Sequence, residues 1–376
     1  MTALVVAGVS ARAMAESARR GGFDVIALDC FGDADTRAAS RAWHDVARAG
    51  APLELDADRF VAALQAAAAE PDVRAWIPGA GFESQPDTLA RGAQVLLMAG
   101  SAADDVRRLR DPRDFFATLD GAGIVHPAVR FDAMDETAGW LLKDAGGRGG
   151  WHVRPASALD GAAPPPGSYL QREVAGVPMS ATFLADGSTA RLLGLNRQRV
   201  RRFGTRAHVF SGVSGPVMLA SRIAQRVVAV LRAVVPAYRL RGLGSLDFVL
   251  DGDLVQVLEV NPRPPTSFPL YESDDSLIAA HVAACLEGRL PPAWAPDRGR
   301  VRGITIVYAR VPLVLSAAAA ERLAGAGCHD RPLAGSRFAA GDPVCSVSAE
   351  GTDLDAVDAL LEARGDELLK ILETSA

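Results

Sequence analysis

An α/β protein of more than one domain is what this sequence predicts, on three observations. Apolar runs alternate with Ala/Arg-rich helical stretches through roughly the first hundred residues. A glycine-dense loop and a hairpin rich in carboxylates follow, and 376 residues exceed what one small core accommodates. Taken in order, "ALVVAG" reads as a strand, "ARAMAESARRG" as a helix closed by Gly21 and Gly22, and "DVIALD" as a second strand. "ADRFVAALQAAAA" is a helix and "AWIPGAG" a strand running into a turn. That rhythm implies a parallel sheet with helices on its faces and ligands at its strand ends. The first turn, "AGVSARA", holds one glycine, so the G-x-G-x-x-G dinucleotide fingerprint is absent.

"DPRDFFATLDGAGIVHP" is a helix opened by Asp111 and Pro112 and stopped by Gly123, before a short strand. "GWLLKDAGGRGGWHVRP" reads as two strands about a glycine turn, and "GSYLQREVAGVPMSATFLADGS" as another pair. "PVMLASRIAQRVVAVLRAVV" is an amphipathic helix, followed by the hairpin "GLGSLDFVLDGDLVQVLEVNPRP". From about residue 296 come several strand-like runs, beginning "VRGITIVYARV", and the closing helix "DAVDALLEARGDELLKILE". Three packed domains are expected.

Composition narrows the function. With 49% hydrophobic and 23% charged residues the chain is not of the disordered class, and a net charge of −5 gives no basic footprint for nucleic acid. Cys30, Cys285, Cys328 and Cys345 are far apart, without zinc-type spacing, which suits a reducing cytoplasm. No apolar run reaches membrane-spanning length, and the start lacks the basic n-region of a signal peptide. A soluble, cytoplasmic protein is expected.

Of the 40 basic residues only Lys143 and Lys370 are lysine. Lys370 belongs to the wet face of the last helix. Lys143 leaves an apolar strand directly before Gly146, Gly147, Gly149 and Gly150, more glycine than a turn needs. A loop bare of side chains lets backbone N–H groups approach anionic oxygens, and an ammonium beside it strengthens a phosphate reading over that of a plain surface hairpin.

The hairpin depends on its register, because a slip of one residue turns every side chain over. A three-residue loop, Asp251-Gly252-Asp253, places Asp247, Val249, Val255, Val257, Glu259 and Asn261 on one face and leaves a nearly apolar opposite face. Asp247, Glu259 and Asn261 then form an oxygen-donor set for Mg²⁺ shared with a nucleotide. In "NRQRVRRFGTR", Arg199 and Arg201 occupy alternate strand positions that would face an acidic substrate, with His208 lining the same pocket; a solvated charge run is the competing reading.

These residues resemble the ATP-grasp carboxylate–amine/thiol ligases. The resemblance rests on "KDAGGRGG", "YLQREVAGVPMS" and above all "SLDFVLDGDLVQVLEVNPRP", in that order, across roughly residues 106 to 295. It implies an α+β ATP-grasp fold: an N-terminal parallel α/β pre-ATP-grasp domain (1–105), a two-subdomain ATP-grasp core (106–295), and a small β-rich C-terminal α/β domain (296–376). "SARAMAESARRGGFDVIALDCFGDADT" and "DRPLAGSRFAAGDPVCSVSAEG" are similar to the branch that builds one-carbon carrier cofactors of the methanofuran type, including tyramine–glutamate ligase-like proteins. By resemblance, Lys143 and the Gly146–Gly150 loop bind ATP phosphates, and Gln171, Arg172, Glu173 and Val174 form the hinge that reads adenine. Asp247, Glu259 and Asn261 hold Mg²⁺ or Mn²⁺, and Arg263 faces the acyl phosphate. Where many members carry a first lysine, "RDPRDF" offers Arg113, and the acidic ribose-binding position after the hinge glycine is absent from "GVPMS".

The implied reaction activates a carboxylate as an acyl phosphate for attack by an amine, glutamate and a tyramine-like amine in the one-carbon branch. A homodimer is common among such enzymes. A carboxylase or kinase-like ATP-grasp enzyme, and a non-catalytic nucleotide-binding regulator, are the alternatives.

Overall fold

The alternating N-terminal runs form a four-stranded parallel sheet in the computed structural model, which describes residues 2–292 and 299–373. Its order is Ala42–Asp45, Asp24–Asp29, Ala3–Ala7 and Val73–Pro78. Ala3–Ala7 is buried along its whole length, as a strand covered on both faces must be. Leu4, Val6, Val25 and Ala27 pack against helix Arg12–Arg20, while Val5, Ile26, Leu28 and Trp76 meet Phe60 and Leu64 of helix Ala57–Ala68. The Asp56 carboxylate caps that second helix, accepting the Asp58 and Arg59 N–H groups at 3.0 Å. The expected boundary at residue 105 falls inside helix Ala103–Arg110, and the expected start of the C-terminal domain at 296 lies outside the described residues.

The two strands in "GSYLQREVAGVPMSATFLADGS" form, but they join different sheets. Ser168–Arg172 sits in a small antiparallel sheet with Val129–Arg130, Trp140–Asp144 and Arg154–Pro155. Val177–Asp186 lies in a seven-stranded antiparallel sheet, in the order Leu254–Asn261, Arg241–Asp251, Val177–Asp186, Ala190–Phe203, Arg206–Gly215, Val301–Tyr308 and Pro343–Gly351. The C-terminal strands therefore continue the sheet that carries the hairpin. Helix Ser221–Ala237 buries Val227, Leu231 and Val234 against Leu246, Phe248, Val257 and Val260. Helix Leu277–Glu287 fills the space between this sheet and helix Arg12–Arg20.

The hairpin register corrects the expected loop. Asp251 pairs with Leu254, so the turn is the two residues Gly252 and Asp253, with Gly252 at φ +56°. Phe248 then faces Val257, which places Val255 and Val257 on the core face and Gln256 on the other, the reverse of the expectation. A bulge at Leu258 re-phases the strand, so that Asp247 faces Glu259 and Ser245 faces Asn261. Without that extra residue, the two-residue turn would have aimed Glu259 into the core. The carboxylates meet as expected, by a different route.

Candidate active site

Asp247, Glu259 and Asn261 share one face of the hairpin, and Glu259 lines a cleft with Arg110 and His152. Asn261 Nδ2 donates to Asp247 Oδ2 at 3.2 Å and to Glu259 Oε1 at 3.3 Å. The two acids are half-buried, and burial together with the Glu259 charge pushes the Asp247 carboxyl up to about 7. Gln198, from strand Ala190–Phe203, has a smaller opposing effect on Asp247. Burial opposes ionisation of Glu259, yet Arg110 and then Lys143 hold it below the usual carboxylate range.

Lys143 is buried on strand Trp140–Asp144 and donates to Gln171 Oε1 at 2.9 Å. The glycine loop after it docks on the hairpin Ala190–Phe203/Arg206–Gly215: Phe210 N donates to Gly149 O at 2.9 Å. At Gly150, φ is +75° and a Cβ would stand 1.8 Å from the His208 carbonyl oxygen, so only glycine fits. At Gly147 a Cβ would collide with His152 Cγ at 2.0 Å. Arg148 crosses to the N-terminal domain, donating to Leu53 O at 3.0 Å.

Arg110 is the cation that sequence reasoning missed. It lies 3.6 Å from Glu259 Oε2 and donates to the carbonyls of Ala145 and Gly147 at the mouth of the loop. Arg113, the expected residue, is exposed and stacks 4.1 Å over the Phe131 ring. Asp111 ends one helix and caps the next, a bend that aims Arg110 at the loop and Arg113 away. His152 and Gln198 were also missed, as was Glu83. Glu83 is 4% exposed, takes the Arg263 Nε–H, and accepts the Gly81 N–H at 2.7 Å. Burial would raise Glu83, but Arg263 and Arg110 hold it at about 2.

The arginine expectation is corrected as well. Arg199 and Arg201 are not brought to this cleft. They point, with Arg197, to the opposite side of their strand, against the C-terminal helix Leu354–Glu373. Arg199 Nη1 is 3.4 Å from Asp358 O, and Arg201 is 3.9 Å from Glu362. Gln198, between them in sequence, is the residue that faces the acids. His208 stands apart from both arginines: its Nε2 is 3.1 Å from Glu173 Oε1, outside hydrogen-bond geometry, and its carbonyl supports the loop at Gly150.

The hinge connects the two antiparallel sheets. Arg172 N donates to Ala128 O at 2.8 Å and Glu173 N to Gly139 O at 2.9 Å, so the Glu173 carbonyl and Val174 remain as its forward edge. Among the described residues, Arg110 Nε, His152 Nδ1, Gln171 Nε2 and Asp247 Oδ1 are buried without a hydrogen-bond partner. Such atoms are rare in folded proteins, and here donors and an acceptor gather where the loop meets the carboxylates. Asp247 Oδ1 and the crowded acids fit a divalent cation. No group of three His, Cys, Asp or Glu side chains arranged to hold a metal occurs among the described residues, so further donors would come from bound phosphates.

Comparison with known proteins agrees with this geometry. Residues 110–267 match the ATP-grasp domain. The carbamoyl phosphate synthase large chain of Pseudarthrobacter chlorophenolicus is 28% identical over 110 residues, which is 29% of this chain and 10% of that protein. The match thus spans about a tenth of the length of this curated relative. The L-amino acid ligase of Bacillus licheniformis superposes with a TM-score of 0.71 at 13% identity, covering 98% of both chains. The N5-carboxyaminoimidazole synthetase of Staphylococcus aureus, solved with ADP, gives 0.68 at 13% identity over 97% of both chains. The biotin carboxylase domain of Hydrogenobacter thermophilus 2-oxoglutarate carboxylase, solved with MgADP and bicarbonate, gives 0.71 at 13% identity, covering 95% of this chain and 88% of that one. Residues 110–267 thus match an ATP-grasp domain, and the chain shares the fold of these solved proteins.

Proposed function

We propose that this protein is an ATP- and Mg²⁺-dependent ligase that joins a carboxylate to an amine through an acyl phosphate. The gathering of unpartnered buried donors from Arg110, His152 and Gln171 beside Lys143, opposite Asp247 and Glu259, carries the reading. Lys143, Arg110 and the loop N–H groups would take the phosphate oxygens, and the Glu173–Val174 edge the adenine. Asp247, Glu259 and Asn261 would hold Mg²⁺ or Mn²⁺, which supplies positive charge against the phosphoryl group being transferred. Glu83 occupies Arg263 Nε and Pro264 O accepts from Nη1 at 3.3 Å, which leaves the Nη2 edge for the acyl phosphate. Docking of the loop keeps water from the intermediate.

The resemblance to the one-carbon carrier branch supports glutamate and a tyramine-like amine as the pair, and a role in cofactor biosynthesis. The free cysteines suit a reducing cytoplasm, and no described helix is long and apolar enough to cross a membrane. A homodimer is the assembly we expect. Release of ADP should require both an acid and an amine from a substrate panel, and Glu259→Gln should abolish it. Turnover undiminished in that variant would remove the metal assignment, and turnover with bicarbonate alone would favour a carboxylase, the activity of the Hydrogenobacter fold neighbour.

A further inference from the structure

A separate cavity of about 250 Å³ opens beside Arg263, between the ends of the parallel strands, the Pro264–Pro269 segment and the C-terminal strands. It lies just below the roughly 300–1,000 Å³ usual for small-molecule sites. Val9, Met14, Phe31, Phe268, Ile306 and Val344 make its wall mostly apolar. Most of its charged groups are already committed. Arg12 donates to Asp330 Oδ1 at 2.8 Å and to Glu16 Oε2 at 2.9 Å, Asp330 also accepts from Ser346, and Arg263 is held by Glu83.

Asp33 is the exception. It lines the cavity, is 5% exposed, and among the described residues its carboxylate has no hydrogen bond or ion pair. Burial first, then Asp330, Asp29 and Asp35, push it up to about 8. A buried carboxylate without a partner costs free energy that a cation would recover. A substrate carboxylate would instead meet the negative charge of Asp330 and gain no cation from Asp33, whereas a bound ammonium would favour the ionised form of Asp33. The cavity therefore suits the other reactant.

We propose that this cavity receives the acceptor amine, its uncharged body against the apolar wall and its ammonium held by Asp33, which takes a proton as the nitrogen attacks; this rests on the ligase reading. The ammonium gives one proton to the Asp33 carboxylate, and the freed lone pair forms the C–N bond to the acyl carbon. The C–O bond to phosphate breaks, its electron pair leaving with phosphate. The second N–H proton goes to that phosphate, giving amide and hydrogen phosphate.

Hexylamine and its uncharged counterpart hexan-1-ol test the site by titration calorimetry. Wild type should bind the amine roughly tenfold tighter than the alcohol, Asp33→Asn should lose that preference while still binding Mg·ATP, and Asp33→Glu should retain it. Ala13→Leu, which narrows the cavity, should weaken both probes alike and keeps the test decisive if Asp33→Asn misfolds. Equal affinities in wild type, or a preference that survives in folded Asp33→Asn, overturns the inference. Hydroxylamine, uncharged at neutral pH, traps acyl phosphates as hydroxamates without needing a cation site, so wild type should form hydroxamate with a member of the acid panel. Its absence from wild type defeats the ligase reading and this one with it. Its presence alongside an unaltered amine preference defeats this inference alone.

Discussion

His281 makes stability depend on pH in a way that can be worked through. Its Nδ1 accepts the Leu243 N–H at 2.8 Å and its Nε2 lies 2.9 Å from Ala99 O, so the ring is neutral with its proton on Nε2. Protonating Nδ1 would set two N–H donors against each other in a buried site. Burial pushes the ring down from its ordinary 6.5 to about 4, against a smaller opposing effect of the Ala99 bond. Between those values the unfolded chain binds the proton and the folded chain does not, so stability falls as pH falls. The full shift is worth about 3 kcal/mol, and roughly 2 kcal/mol of it is lost by pH 5. His281→Gln removes this titration. Urea unfolding at pH 7.5 and pH 5 should show wild type losing about 2 kcal/mol more than the variant. Parallel losses, or an imidazole proton resonance that titrates near 6.5, would refute the argument.

Two further predictions concern the site. Gly150→Ala should lower Mg·ATP affinity by roughly tenfold or more, because its Cβ meets the His208 carbonyl, while Gly161→Ala, at φ +79° with open space around it, should bear only about 1 kcal/mol of backbone strain and bind normally. Equal affinities in a nucleotide titration would show that the loop need not dock. Glu83→Gln should destabilise the protein by ~3 kcal/mol, since it leaves Arg263 charged and buried, with turnover falling as well; a loss under about 1 kcal/mol in denaturant unfolding would mean the pair does not hold Arg263.

What the sequence revealed depended on how far apart the partners lie. Asp247, Glu259 and Asn261 fall within one hairpin, and alternation brings them together as soon as the register is known. The shorter turn moved Val255 and Val257 to the core face, yet the bulge at Leu258 restored the carboxylate pair, because an apolar core face tolerates only registers that bury it. Lys143 stood out through the scarcity of lysine. Glu83 had no such signal: it meets Arg263 across 180 residues, and only the packing of the parallel domain on the hairpin sets that pairing. Arg110 was hidden by the Asp111–Pro112 break, whose bend decides which arginine faces the loop. The arginine strand failed on parity, since alternation is legible but the side covered by the C-terminal helix is not.

The pairing of Arg206–Gly215 with Val301–Tyr308 makes the hairpin that carries Asp247 and Glu259 and the C-terminal wall of the Asp33 cavity parts of one hydrogen-bonded plate. The small sheet bearing Lys143 has its own strand ladder; the short segment after Arg172, where Gly176 adopts φ +134°, joins it to that plate, and the glycine loop docks on Phe210. Lifting the small sheet would thus open the nucleotide cleft without dismantling the cavity beside Arg263. On the proposed assignment, the acceptor could then be seated before or after the nucleotide arrives.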